Sequence, residues 1–283
     1  MSIQISRVVK TDKRGDGDQF AVKSIDVNKL GPGASPIALL DDFFVKGRPF
    51  GPHPHAGFSQ LTYVFEDSRG GVRSRDSLGN DIVVGPGGIV WTQAGRGMLH
   101  QEVPADPVGG LHGLQVFVNL SARNKLITPQ VFHLSKESVP EWKNDAGDRV
   151  RVVTGTFSNI ASPLVPAEPC TFLDVELRRE IEFDLVEKRN ALVYVLTGDL
   201  RVSAGNRERL LHDGSAVAIY GDSGCVTFTA ERDVHFVLLS GIDLREPVLA
   251  QGPFIMNSRS EIEDAYARFR TGRMGRLEAL PTI

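Results

Sequence analysis

Several features are scarce in this sequence, and each scarcity excludes a class of protein. The 283 residues include only two cysteines, Cys170 and Cys225, too few for a disulfide framework. No run of about 18 apolar residues could form a membrane-spanning helix, and the first residues lack the apolar core of a secretory signal. Lys and Arg (32) nearly balance Asp and Glu (35), so a general binder of nucleic acid or anionic membrane is not expected. Together these observations predict a cytoplasmic protein.

Common catalytic motifs are also missing. The sequence has no phosphate-binding loop, no dinucleotide fingerprint and no pattern of a nucleophile paired with a base. The glycine-rich run at 85–88 lies between two predicted strands and is interpreted as a turn. Phosphoryl transfer and nicotinamide chemistry are therefore not expected.

The pattern that is present predicts an all-β protein. Its 29 glycines and 16 prolines are spread along the chain and separate short runs rich in β-branched and aromatic residues. The two halves resemble each other, with LTYVF at 61–65 matched by LVYVL at 192–196. We interpret this as an internal duplication that gives two tandem β-barrels, one in residues 1–130 and the other in residues 131–283.

A helix is predicted near the C-terminus, as part of the second barrel domain. Ser258 and Glu261 have the spacing of a capping box. Apolar residues then recur at helical spacing, at Ile262, Ala265, Tyr266 and Phe269. We expect this helix to pack on a barrel as a structural element.

Two pairs of metal-ligand side chains stand in the first half of the chain. His53 and His55 are two residues apart, as are His100 and Glu102, and in a strand such residues project to the same face. Three imidazoles and a carboxylate suit Fe(II), Ni, Mn, Cu or Zn better than Ca or Mg. We therefore predict one divalent metal, with Fe(II) favoured, on a site that keeps open coordination positions. Glu102 is also the predicted catalytic base.

The motifs around these residues resemble the pirin family of bicupins. The resemblance is carried by HPHAGF at 53–58, TQAGRGMLHQE at 92–102, GLQVFVNL at 113–120 and GPFIMN at 252–257. It implies two cupin (jelly-roll-type) β-barrels, with the metal of the N-terminal barrel on His53, His55, His100 and Glu102. It also implies a metal-free second barrel, in which the stretch 187–190 is the expected counterpart of the His-x-His motif and contains no histidine. One departure is Ser59, where many family members have glutamate.

The resemblance leaves three functions open. The first is a dioxygenase like quercetin 2,3-dioxygenase, which opens a flavonol with dioxygen and releases carbon monoxide. In that reading Glu102 takes the substrate proton. The predicted apolar wall for the small aromatic substrate is Phe58, Trp91, Met98 and Leu99.

The second function is a regulatory module in which a metal- or redox-responsive protein binds a transcription factor or a metabolic enzyme. The third is a metal-dependent isomerase or small-molecule binder, because one fold hosts many chemistries. We expect a monomer without direct nucleic-acid or membrane contact. The remaining histidines are interpreted as structural, although His112 is a candidate for a place beside the metal site and Arg96 for a substrate contact.

Overall fold

Strands dominate the computed structural model, which describes residues 2–15, 19–47 and 50–281. Within these ranges the helical elements are one α-helix, Arg259–Arg270, and the short 3₁₀ segments Val27–Ala34 and Lys136–Ser138. None of these helices is long and apolar enough to cross a membrane. The prediction of an all-β protein with a C-terminal helix is confirmed.

The chain forms two compact units, each built on a large and a small antiparallel sheet. The unit called the first barrel below contains residues 13–22, 40–138 and 245–283. The strands of its large sheet are, in spatial order, Gln130–Leu134, Ile89–Gln93, Phe58–Val64, Leu111–Asn119, Ile37–Val45, Phe20–Ile25 and Asp12–Gly15. The strands of its small sheet are His53–His55, Met98–Pro104, Val72–Asp76 and Asp81–Val84.

The second barrel contains residues 1–12, 23–39 and 139–244. The strands of its large sheet are, in spatial order, Gln4–Ile5, Ser215–Tyr220, Arg189–Thr197, Val234–Ile242, Cys170–Leu177, Arg149–Thr154 and Glu141–Lys143, with Val9–Lys10 also paired to Ser215–Tyr220. The strands of its small sheet are Glu180–Leu185, Gly224–Ala230, Leu200–Ala204 and Arg207–Leu211. Two further hairpins are formed by Thr156–Phe157 with Ile160–Ala161, and by Leu249–Gln251 with Phe254–Met256 in the first barrel.

The strand orders of the two barrels correspond, which supports the internal duplication. Phe58–Val64 takes the place in its large sheet that Arg189–Thr197 takes in the other, between equivalent neighbours. The small sheets show that the counterpart of His53–His55 is the strand Glu180–Leu185. The stretch 187–190, which the sequence predicted as the counterpart of the His-x-His motif, lies beyond the end of that strand.

The interior of the second barrel is filled with apolar side chains. Val193, Phe228, Phe236 and Leu238 are among the residues of this core, and all four are buried. Burying each of these side chains contributes about 1.5–3 kcal/mol, so the apolar core stabilises the second barrel. The first barrel has a smaller apolar cluster, in which Val64 and Leu111 of the large sheet pack against Val72 and Val84 of the small sheet.

The C-terminal helix packs with the first barrel. Ile262 and Ala265 belong to a buried cluster with Ala56, Phe254 and Met256. The predicted capping box is present in part: Ser258 Oγ accepts a hydrogen bond from the Glu261 amide, while Glu261 Oε2 accepts one from the amide of Asn257, the residue before the cap, at 2.9 Å. The sequence-based ranges 1–130 and 131–283 therefore differ from the two units, since residues 131–138 and 245–283 lie in the first.

Candidate metal centre

Two neighbouring strands bring three histidines together in the first barrel. His53–His55 pairs with Met98–Pro104 in an antiparallel register that sets His53 opposite His100. Side-chain alternation then points His55 to the same face. Within the described ranges these three residues form a cluster whose ligand nitrogens all lie within 4.8 Å of one another. The Nε2 atoms of His53 and His100 are 3.1 Å apart.

The turn after the His-x-His strand requires glycine. Gly57 has φ +84°, and a Cβ atom at this position would lie 1.9 Å from the carbonyl oxygen of Ile255. Glycine adopts this backbone conformation without steric cost, whereas any other residue would clash. The sequence HPHAG therefore fixes both the ligands and the close approach of the chain behind them.

The surroundings of the cluster favour the neutral form of His55 and His100. His53 Nδ1 lies 3.0 Å from the Gly51 carbonyl oxygen, so it donates there and leaves Nε2 with its lone pair. Burial lowers the pKa of His55 to about 3, and the neighbouring His53 adds to the effect. Burial lowers the pKa of His100 as well, and the neighbouring His55 and His53 add to the effect. Neutral imidazoles are the form that binds a metal, so the donor set fits a divalent transition metal.

Unpaired buried atoms in the cluster agree with that fit. The ring nitrogens of His55 and Nδ1 of His100 have no hydrogen-bond partner in the structure. Leaving buried polar atoms unpaired costs about 1–3 kcal/mol each, which a coordinated metal would offset.

Glu102 lies beside this cluster on the same strand as His100. Its Oε2 accepts hydrogen bonds from Thr62 Oγ1 at 2.6 Å and from Gln60 Nε2 at 3.0 Å, and its Oε1 is buried without a partner. Burial raises the pKa of Glu102, while the hydrogen bonds from Thr62 and Gln60 oppose that shift. The histidine cluster does not include Glu102, so its role as fourth ligand stays a prediction.

Glu102 also borders a cavity of about 150 Å³ inside the first barrel. Thr62 shares this lining, and the apolar part includes Phe20, Phe43 and Phe50. The carboxylate thus lies on the strand of His100 and lines a cavity that is partly open to solvent.

The apolar wall predicted from sequence is not the lining of this cavity. One of the four predicted residues, Phe58, contacts a histidine of the cluster: its ring centroid lies 5.0 Å from that of His55. Trp91 and Met98 are buried in the barrel, and Leu99 packs against the cluster around the C-terminal helix. Leu99 points away because it alternates with His100 along the strand.

Sequence reasoning also missed some residues of the site. Gln60 and Thr62 lie two and four residues after Phe58 on one face of their strand, and this spacing was the available signal. Phe117 contacts Phe58, with the two ring centroids 4.4 Å apart, and lies opposite Gln60 on the neighbouring strand.

The remaining candidates lie outside the histidine cluster. His112 is placed between Asp42, 3.1 Å from its Nε2, and Asp67, 2.8 Å from its Nδ1. The side chain of Arg96 is exposed, while its backbone carbonyl accepts a hydrogen bond from Arg268 Nε at 2.9 Å.

A barrel of this strand order, with three clustered histidines that could hold a metal, is the arrangement of a cupin. Two family models agree with this class: the one described as pirin matches residues 3–118, and the one described as the pirin C-terminal cupin domain matches residues 172–275. Human pirin is 34% identical over 242 residues, which cover 84% of this chain and 82% of that protein. The chain belongs to the pirin family, as its motifs predicted.

Solved structures give the same fold. A quercetin 2,3-dioxygenase from Acinetobacter baumannii superposes with a TM-score of 0.84 and 26% identity, and the match covers 97% of this chain and 99% of that one. A bacterial pirin from Escherichia coli in complex with nickel(II) has a TM-score of 0.64 and 20% identity, with 84% of this chain and 99% of that chain covered. The second likeness is one of fold alone.

Proposed function

We propose that this protein is a metal-dependent dioxygenase of the quercetin 2,3-dioxygenase type, acting on a hydroxylated aromatic compound. The observation that carries the proposal is the cluster of three histidines on the strands next to a carboxylate that lines a cavity. The similarity to the Acinetobacter baumannii enzyme supports the same reaction class. With a flavonol, both atoms of dioxygen would enter the opened heterocycle and carbon monoxide would be released.

His53, His55 and His100 would hold the metal, with Glu102 as the proposed fourth ligand. A bound divalent metal supplies Lewis acidity toward a substrate hydroxyl and, in the case of Fe(II), a redox centre for dioxygen. Fe(II) is the favoured metal, and Ni, Mn, Cu and Zn are the alternatives, since nitrogen-rich sites accept all of them.

Glu102 is the proposed proton acceptor in this reaction. Its Oε1 has no partner in the structure, whereas Oε2 is held by Thr62 and Gln60. The two hydrogen bonds fix the orientation of the carboxylate, so Oε1 can take the proton of a substrate hydroxyl without a change of rotamer.

Oxygen uptake with a flavonol tests the proposal. Protein stripped of metal is reloaded anaerobically with Fe(II), Ni, Mn, Cu or Zn, and oxygen consumption, quercetin loss and carbon monoxide are measured. We expect metal-dependent uptake that His55→Ala abolishes and that His235→Ala, a substitution in the second barrel, leaves unchanged. No uptake with any metal, in protein that holds one equivalent, would contradict the dioxygenase function.

A regulatory function is the second candidate, and the size of the cavity favours it. The volume of about 150 Å³ is below the 300–1,000 Å³ or so of sites that enclose drug-sized ligands. His53 is half-buried, so a partner protein could approach the ligand set from outside. In this reading the metal's oxidation state alters binding of a protein partner. Monomeric state and cytoplasmic location stay predictions of the sequence.

A further inference from the structure

The small sheet of the second barrel has a free edge. Its outermost strand, Glu180–Leu185, pairs on one side with Gly224–Ala230. On the other side, no strand of the described residues pairs with it. A strand with one neighbour presents every second backbone N–H and C=O group away from the sheet. This free edge can therefore form hydrogen bonds with a further strand.

A groove of about 670 Å³ lies beside the free edge and is partly open to solvent. Its lining comes from three segments of the second barrel: the strand Glu180–Leu185, the chain around Trp142, and the hairpin that begins at Thr156. In the first barrel the corresponding edge strand is His53–His55. The position that holds metal ligands in one barrel thus borders an accessible groove in the other.

Aromatic side chains form the apolar part of the groove. Trp142 and Phe183 are half-buried and pack against the apolar core, and Phe157 belongs to that core. Trp142 and Phe157 contact each other edge to face, with ring centroids 5.4 Å apart. Because Trp142 and Phe183 stay partly exposed, apolar surface is left for a partner to cover.

The charged part of the groove is acidic. Glu180, Glu182 and Asp184 are exposed, alternate with the inward-facing residues of their strand, and line the groove. Among the described residues that form the lining, none is a lysine or an arginine. Lys143, next to Trp142, pairs with Glu141 at 2.9 Å. Three carboxylates without a basic side chain in the lining favour a cationic partner.

These features together define what fits the groove. An extended segment added to the free edge places its side chains alternately on the two faces of the sheet. On one face, Lys or Arg side chains form favourable cross-strand pairs with Glu180, Glu182 and Asp184. On the other face, apolar side chains cover Trp142 and Phe183. The carboxylates repel the same edge of a second copy of this chain, so pairing between copies is disfavoured.

We propose that the free edge Glu180–Leu185 and the groove beside it bind an extended segment of a partner protein in which basic residues alternate with apolar ones. Main-chain hydrogen bonds supply part of the affinity, and the alternating side chains supply the specificity. The site lies within the second barrel. The proposal is therefore independent of the metal and of the dioxygenase function.

Titration of the full chain with a synthetic peptide tests the proposal. The probe is the capped hexapeptide Lys-Val-Lys-Phe-Lys-Val, and the comparison peptide has glutamate in place of each lysine. The chain has two tryptophans, and Trp91 is buried in the first barrel, so a change in tryptophan emission reports Trp142. We expect a saturable change that Trp142→Phe removes, with binding at least about 10-fold tighter for the lysine peptide.

Peptides methylated at alternate backbone nitrogens separate strand addition from charge attraction. One version is methylated at its lysines and the other at its apolar residues, and both keep the charge of the probe. Only every second N–H of an added strand faces the protein. One version should therefore bind at least about 10-fold more weakly than the other. Equal binding of the two versions would overturn the proposal.

A charge reversal with a matched control locates the site. Glu182→Lys should weaken binding of the lysine peptide at least about 10-fold. Glu231→Lys is the control, because Glu231 is an exposed residue of the second barrel outside the groove and its substitution changes the net charge equally. An equal loss in both variants would show a general effect of net charge and refute the site. Glutamate-peptide binding as tight as that of the lysine peptide would refute it as well.

Discussion

The two barrels share one strand order and differ in what points inward. Thr62 in the first barrel and Val193 in the second occupy matching positions in LTYVF and LVYVL. Thr62 donates a hydrogen bond to Glu102, whereas Val193 belongs to a continuous apolar core. Both side chains have nearly the same volume. At this matched position the first barrel therefore has a polar side chain that contacts Glu102, whereas the second barrel has an apolar side chain that fills its core.

Loss of a histidine ligand should give the largest effect that separates the barrels. His100→Ala removes one of three clustered imidazoles, and we expect metal affinity to fall by more than about 100-fold, beyond the usual effect of losing a supporting residue. The His235→Ala protein should keep one equivalent. Metal content after dialysis, measured by mass spectrometry, checks both. Full retention by His100→Ala would place the metal elsewhere.

Exchanging the matched residues should sharpen the comparison. Val193→Thr buries a hydroxyl in an apolar core, so the free energy of unfolding should fall by about 1–3 kcal/mol with metal affinity unchanged. Thr62→Val removes the hydrogen bond to Glu102, so metal affinity should fall about 10-fold with a smaller change in stability. Urea denaturation and metal titration measure the two quantities. The same pattern of effects in both variants would refute the division of roles.

A histidine outside the metal centre should make stability depend on pH. Burial tends to lower the pKa of His112, but the hydrogen bonds and charges of Asp42 and Asp67 raise it overall. Because the folded state holds this proton more tightly than the unfolded state, the contribution is complete below a pH of about 6.5 and is lost as the pH rises through the folded-state pKa.

His112→Gln should therefore cost more stability at pH 5.5 than at pH 9. Urea denaturation at the two pH values measures this difference, and the exposed His133→Gln serves as the control. A cost that grows toward alkaline pH would contradict the assigned sign.

The smallest effect concerns the helix that packs with the first barrel. Ser258→Ala removes the oxygen that accepts the Glu261 amide, which should lower the free energy of unfolding by about 1 kcal/mol. Thermal unfolding followed by circular dichroism can detect this loss, and Ser223→Ala, at an exposed loop position outside the helix, is the control. No difference between the two variants would show that the cap does not contribute.

The fold class, the family and the clustering of the three histidines could all be predicted from the sequence. Side chains two residues apart in a strand point to the same face, so His53 and His55 were expected to lie together. The pair at His100 and Glu102 was expected to meet them if the two strands were neighbours. The cavity was not predictable in this way, because Phe20 and Phe50 reach it from segments distant in the sequence. The unit that holds the C-terminal helix was equally hidden, since helical periodicity reveals an apolar face but not the surface that it covers.

The chain behind the metal ligands has a consequence for biosynthesis. Ala56, next to His55, accepts a hydrogen bond from the Ile255 amide at 3.1 Å, and the Ile255 carbonyl oxygen in turn accepts one from the buried Lys125 at 3.0 Å. The ribosome makes Ile255 only after the whole second barrel has been synthesised. The histidine cluster can therefore gain this support only after the strands of the second barrel have been synthesised. A metal held by these three histidines would then depend on the last part of the chain as well as on the strands that carry the ligands.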